Sequence, residues 1–248
     1  MDKSDKEYWE GTRKWGKNEV ESFNMIMNDA SSAFPREVWE MLAESFSCFK
    51  GKKILVPSCG DGLCALGFCR LESIVLATDF CDSTVEQVRN KARENGLLIE
   101  TKTLDSKDLE DEPPDKYDLV FTSCGVLSCM TEKADLEMMF KSFYRVLKPN
   151  GRYILFDYHP STRMFRNFVI DKSNENHLDR QKTFIVEKPY WEVRWRIEDC
   201  LRILMKLGFT LVDFREMCTE LDDSPIYKNK TYISAYLPYW LGISVVKS

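Results

Sequence analysis

A short apolar run that breaks into a glycine turn constrains this chain more than any other feature: residues 52–63 read KKILVPSCGDGL. A strand buried on both faces reads as such a run. Gly60 and Gly62, at alternate positions of the turn, carry no side chain and let the backbone pass close to a bound molecule. A helix starting just beyond them would aim its amide N–H groups and positive dipole end at the same spot. Strand, glycine turn and helix in this order form the cradle with which α/β proteins hold nucleotide-like cofactors.

The rest of the chain repeats that unit. Strand patterns at 54–56, 73–78, 98–104, 117–123, 152–158, 209–216 and 239–247 predict a seven-stranded sheet. Helical patterns fall between them at 63–70, 83–95, 134–147 and 195–208. In the second of these, Ser83 is the expected N-cap, with Glu86 three residues on and Gly96 past the end. Strands alternating with helices at this spacing imply a parallel sheet covered on both faces. The last two strands are joined by an irregular segment rather than a helix, which makes the final strand antiparallel in this reading. The expected fold class is therefore α/β: a Rossmann-like three-layer sandwich with a mostly parallel sheet.

Residues 1–50 read as a helical, aromatic N-terminal cap, with Tyr8, Trp9 and Trp15 early and an amphipathic helix at 34–46 that starts from Pro35. Residues 51–248 make the main domain, interrupted at 159–194 and 217–238 by irregular insertions expected to cover the substrate side.

Composition removes several classes of function. A net charge of −5 argues against a nucleic-acid binder, and no local basic cluster offsets it. No apolar run reaches membrane-spanning length, and the N-terminus carries no signal-peptide core, so the expected location is the cytoplasm. The nine cysteines form no CxxC pair; they read as reduced, buried side chains, and no metal site is expected.

The turn alone leaves two cofactors open. GDGLCA (60–65), with Asp79 downstream, satisfies the relaxed dinucleotide fingerprint G-x-G-x-x-A and keeps a nicotinamide oxidoreductase in contention. Three further features lean elsewhere. ILVPSCGDG resembles the glycine-rich first motif of class I S-adenosylmethionine (SAM) dependent methyltransferases, most closely the VPSSGD-like form of small bacterial-type members. Acidic residues end the second and third strands at Asp79 and Asp105. YDLVFTSCGVL, a long helix and RVLKPNGRYILFDYHP look like that family's fourth and fifth motifs. Two positions depart from the pattern: Val56 stands where the family has an acidic residue, and Ser58 replaces its first glycine. Asp61 is a candidate to supply the missing charge, and a SAM binder without catalysis stays open as an alternative.

The resemblance implies SAM as cofactor, S-adenosyl-L-homocysteine (SAH) as product, and a small-molecule methyl acceptor. It implies that Ser58, Cys59, Gly60, Gly62 and Ser123 border the cofactor. Asp79 would bind its ribose, with Phe80 on the adenine face. Asp105 and Ser106 would lie beside the adenine, although an Asx turn explains Asp105 equally. Reaction in open α/β sheets occurs beyond the carboxyl ends of the strands. That places the acceptor near residues 123–127, including Ser123 and Leu127, and near 157–163, including Tyr158 and Arg163. His159 is the candidate general base, because imidazole titrates near neutrality. Tyr8 and Trp15 are candidates to close over the site. The partner is a small molecule, and the chain is expected to act as a monomer or homodimer.

Overall fold

Side chains alternate across each strand and divide the core into two layers, one on each face of a single sheet. The computed structural model describes residues 9–10, 15–160, 195–218 and 238–248. Its strands are β1 (Lys53–Val56), β2 (Ile74–Asp79), β3 (Glu100–Thr103), β4 (Tyr117–Ser123), β5 (Leu147–Tyr158), β6 (Phe209–Met217) and β7 (Trp240–Lys247). They form a seven-stranded sheet in the order β3-β2-β1-β4-β5-β7-β6. Strands β1 to β5 run parallel, and β7 runs antiparallel to both of its neighbours, β5 and β6. This is the mostly parallel sheet with an antiparallel final strand that the sequence predicts. The order reverses between β1 and β4, and a crevice for ligand opens at the carboxyl ends of strands at such a switch point.

The helices are α1 (Lys17–Asn28), α2 (Arg36–Ser45), α3 (Leu63–Arg70), α4 (Asp82–Glu94), α5 (Val126–Cys129), α6 (Lys133–Val146) and α7 (Ile197–Lys206). On one face Phe23 and Ile26 of α1, Val38 and Leu42 of α2, Phe68 of α3 and Val88 of α4 pack on Ile54, Val56, Phe121, Ile154 and Phe156. On the other, Phe140 and Phe143 of α6 and Ile203 and Leu204 of α7 pack on Leu55, Val120, Tyr153 and Leu155. The apolar spacing of α6 (Leu136, Met139, Phe140, Phe143) is that of one helical face, which is why it docks as it does. The N-terminal helices are joined to the sheet by a ring cluster: Phe34 lies 4.8 Å from Phe68 and 5.5 Å from Phe121. Gly67 permits that approach, since a Cβ there would fall 2.4 Å from the Ala33 side chain.

The structure corrects the sequence reading in three places. Helix α4 starts at Asp82 with Cys81 as N-cap, so Ser83 is not the cap. Its hydroxyl instead donates to Glu10 of the N-terminal segment, 2.9 Å away, and Glu10 also accepts the Asp82 amide at 3.1 Å. Pro35 caps α2 from just outside rather than opening its first turn. KPNG (148–151), whose sequence reads as a turn before the fifth strand, lies inside β5: Leu147 pairs with Tyr117, and the register then shifts so that Arg152 pairs with Leu119. Gly151 is needed there, because a Cβ would come within 2.8 Å of the Lys148 carbonyl oxygen.

One polar cluster holds the approach to β4. The Glu112 side chain is fully buried and accepts hydrogen bonds from Lys102 (2.6 Å), Lys116 (2.7 Å) and the Tyr117 hydroxyl. Burial alone would raise its pKa, but these donors outweigh it and hold the carboxyl at about 2. A depressed folded-state pKa gives stability that is present above the ordinary value of 4.5 and lost as pH falls toward 2. Denaturant unfolding should therefore show on the order of 3 kcal/mol of stability draining away across that window. Glu112→Gln should lack this component, with stability lower near neutral pH and flatter below pH 4.5.

Candidate cofactor and acceptor site

The turn after β1 is a left-handed path: Ser58 has φ 50°, Gly60 φ 54° and Gly62 φ 79°. Ser58 therefore keeps the backbone conformation of the glycine it replaces, at the strain a side chain pays there. Gly62 is required by packing as well, since a Cβ would lie 2.4 Å from Val88 of α4. Gly60 differs: a Cβ there would meet nothing within 4 Å, so the tip of the turn borders open space.

Asp79 organises the neighbouring wall. It is buried at 6% exposure at the end of β2, with the Gly60 amide donating to Oδ2 at 3.0 Å and the Cys81 amide to Oδ1 at 3.1 Å. The glycine turn and the start of α4 are thus fixed by one carboxylate. A second clasp ties in the exit of β3: the Ser58 and Ser106 hydroxyls lie 2.6 Å apart, and Ser106 is buried. Asp105 accepts the Lys107 amide at 2.9 Å, which makes it an Asx turn within the same wall. Phe80 is half-buried between Asp79 and α4. Cys59 is buried, and burial, with Asp79 and Asp61 nearby, pushes its thiol well above the usual range, so it stays protonated and unreactive.

The start of α3 bears on the choice of cofactor. Asp61 Oδ1 accepts the Leu63 amide at 3.0 Å. A dinucleotide would set its diphosphate on this helix start. Here a carboxylate already sits on it and would repel one. Above the turn, the Trp15 indole N–H donates to the Asp61 carbonyl at 2.9 Å, with its ring 5.4 Å from Phe23 and Lys91 at 5.4 Å over its face.

The side expected from the sequence to take the acceptor is built from the ends of β4 to β7. Ser123 ends β4, and Cys124 and Gly125 follow at φ 53° and 94°. Asp157, buried at the end of β5, accepts the amides of Gly125 (2.6 Å), Leu127 (2.9 Å) and Tyr158 (2.6 Å). The Leu127 side chain packs into the core on the α6 side. Tyr158 is half-buried and stacks on Trp240 at 4.7 Å, with Tyr239 edge-on at 6.0 Å. His159 Nε2 lies 2.9 Å from Glu216 Oε1, a partner from β6 that sequence spacing does not reveal. Burial lowers the His159 pKa below 6.5, and Glu216 opposes that only in part. Trp195 is buried and donates to the Met130 carbonyl at 2.8 Å. Tyr8 and Arg163 lie outside the described residues.

With this geometry in view, comparison with known proteins is specific. Residues 54–151 match the model of a methyltransferase domain. A SAM-dependent methyltransferase from Methanosarcina mazei superposes with a TM-score of 0.67 at 16% identity, over 84% of this chain and 96% of that one. Magnesium protoporphyrin IX methyltransferase from Synechocystis, solved with bound SAH, superposes with a TM-score of 0.58 at 17% identity, over 92% of this chain and 84% of that one. The ubiquinone/menaquinone biosynthesis C-methyltransferase of Vibrio campbellii is 27% identical over 137 residues, 54% of this chain and 52% of that one. The chain thus spans about half the length of the curated relatives it matches. The fold is the one found in SAM-dependent methyltransferases of known structure. Within this chain, residues 54–151 are the part that matches a methyltransferase domain.

The packing at Gly62 gives a direct check. Gly62→Ala should destabilise the fold by about 1–3 kcal/mol, through its φ of 79° and the clash with Val88. Thermal unfolding would show it. Gly60→Ala, at an open position, should cost less stability, by the strain of its φ alone.

Proposed function

We propose that this chain transfers the methyl group of SAM to a ring-bearing small molecule at the carboxyl ends of β1, β4 and β5. The observation that carries the reading is the bridge from the buried Asp79 carboxylate to the Gly60 and Cys81 amides. It sets an acceptor for sugar hydroxyls beside an open turn, next to a helix start that already bears a carboxylate. A carboxylate accepts about four hydrogen bonds, so this bridge is compatible with ribose contact. Asp79 would hold the ribose, and Phe80, Asp105 and Ser106 the adenine. The turn at Ser58, Cys59, Gly60 and Gly62, together with Ser123, would border the amino-acid end. When bound, SAM supplies an electrophilic methyl group on a sulfonium.

The protein's part is to hold the acceptor in line with that methyl group and to keep water out. Tyr158, Tyr239 and Trp240 give the acceptor side an aromatic wall, which suits a flat ring. The Vibrio campbellii relative is named for work on ubiquinone and menaquinone, in keeping with a ring acceptor. His159, held neutral at pH 7 by burial, accepts a proton from the acceptor, and Glu216 stabilises the imidazolium that forms. Tyr8 and Trp15 act as a cap over the cofactor, while helices α1 and α2 of the 1–50 segment anchor it to the face of the sheet. Arg163 and the 159–194 and 217–238 segments shape the acceptor side. The net charge of −5 favours a small molecule over nucleic acid, and the cytoplasm is the proposed location. No helix among the described residues is long and apolar enough to cross a membrane.

A second reading, a SAM binder without catalysis, is favoured by Val56, which is buried in the core where the family carries an acidic residue. A screen with methyl-labelled SAM over phenols, quinols, amines, thiols and carboxylates separates the two. Label should pass to a ring acceptor, with a rate that falls as pH drops through the His159 pKa below 6.5. His159→Gln should slow transfer about a hundredfold while leaving SAM affinity unchanged. Binding without transfer to any class would favour the second reading, and an unchanged rate in the variant would remove His159 as the base.

A further inference from the structure

Asp157 is a buried carboxylate that the proposed chemistry leaves unused. Three amide N–H groups converge on it, from Gly125, Leu127 and Tyr158. Two of them come from the turn that leaves β4, beside the glycine turn at the switch point of the sheet. That turn is strained: Cys124 and Gly125 are consecutive left-handed residues at φ 53° and 94°, and Cys124 has a side chain. Such a path persists only where its surroundings hold it; the Phe156 carbonyl takes the Cys124 amide and the Ser128 hydroxyl bonds the Gly125 carbonyl, but Asp157 is the charged group that gathers the turn's Gly125 and Leu127 amides. Its charge is also felt across the second core, where it adds to the effect of burial in pushing the Cys200 thiol up.

The consequence lies on the other side of the peptide. A trans peptide is planar, with its N–H and C=O pointing in opposite directions. When the Gly125 N–H points at Asp157, the Cys124 carbonyl is directed away from it. Resting on the methyl-transfer reading, we propose that Asp157 is a positioning residue that orients the turn at 124–127. The oriented turn presents the negative end of its peptide dipole to the cofactor's sulfonium, and so favours charged SAM over neutral SAH. A fixed dipole in a water-poor cleft acts on a positive charge far more strongly than in bulk water. The two cofactor forms differ at the sulfur by the methyl group and its charge, so their affinity ratio reads this effect. A purely structural role would move both affinities together.

The test is calorimetric titration of SAM and of SAH into the wild type and Asp157→Asn. The variant should bind SAM about tenfold more weakly and SAH less than about threefold more weakly. Gly125→Ala disturbs the same turn with the carboxylate in place and serves if Asp157→Asn does not fold. A Cβ there meets no atom closer than 3.8 Å, so the substitution acts through its φ of 94° alone. It should shift the SAM to SAH ratio in the same direction. Parallel losses for the two ligands, or no change in either, would overturn the positioning role while leaving the cofactor assignment intact. A wild type that binds neither would overturn the assignment and this inference with it.

Discussion

The buried carboxylate of Asp79 is the interaction on which the cofactor cleft depends. It stands at the end of β2, and its two oxygens take one amide from the glycine turn and one from the start of α4. Without it, the buried Cys81 amide would lose its acceptor, at a cost of about 1–3 kcal/mol, and the half-buried Gly60 amide would lose its own. The turn tip at Gly60 would also lose the anchor that sets its distance from the second strand. The Ser58–Ser106 clasp extends the same wall to the exit of β3. Three strand exits are thereby joined by polar contacts from only three side chains, in a cleft otherwise floored by apolar core.

Two of the five described non-glycine residues with positive φ lie at this end of the sheet. Ser58 and Cys124, both with side chains and both left-handed, follow the two central strands β1 and β4. Each is held by a partner from another strand exit: Ser58 by Ser106 after β3, and the turn after Cys124 by Asp157 of the neighbouring β5. Helix packing then closes the arrangement, because Gly62 can accept α4 only without a side chain. The N-terminal segment rests on this end as well, through Trp15 on the Asp61 carbonyl and Glu10 on the start of α4.

Most of the sheet was legible because a parallel strand buried on both faces leaves an unbroken apolar run, as in ILV at 54–56 and YDLVFTS at 117–123. Glycines past a strand or helix end located Gly60, Gly62 and Gly96 by the same logic, and all three have positive φ. What local pattern cannot show is a partner from a distant strand. Glu216 meets His159 across the end of β7, and Glu10 takes the place that Ser83 was expected to fill. Asp157 lay inside a stretch marked as the acceptor side, but its three amide partners follow from the curl of the β4 turn, which nothing in SCGVL announces. The four-residue helix α5 was missed for the same reason: its start is set by that carboxylate, not by its own sequence.

The distinction between a dinucleotide and SAM leaned on motifs beyond the turn in the sequence, and placement adds to it. GDGLCA fits both, and it is the Asp61 carboxylate on the Leu63 amide that makes the helix start unfit for a diphosphate. The measurement that tests the account most directly is SAH binding to the wild type and to Asp79→Asn, followed by calorimetry, with the thermal midpoint as a check on folding. The account predicts that the folded variant binds SAH about ten- to a hundredfold more weakly, as expected for loss of a charged hydrogen bond to a ribose hydroxyl. Equal affinity in the two proteins, or a wild type that binds NAD(P) more tightly than SAH, would contradict it.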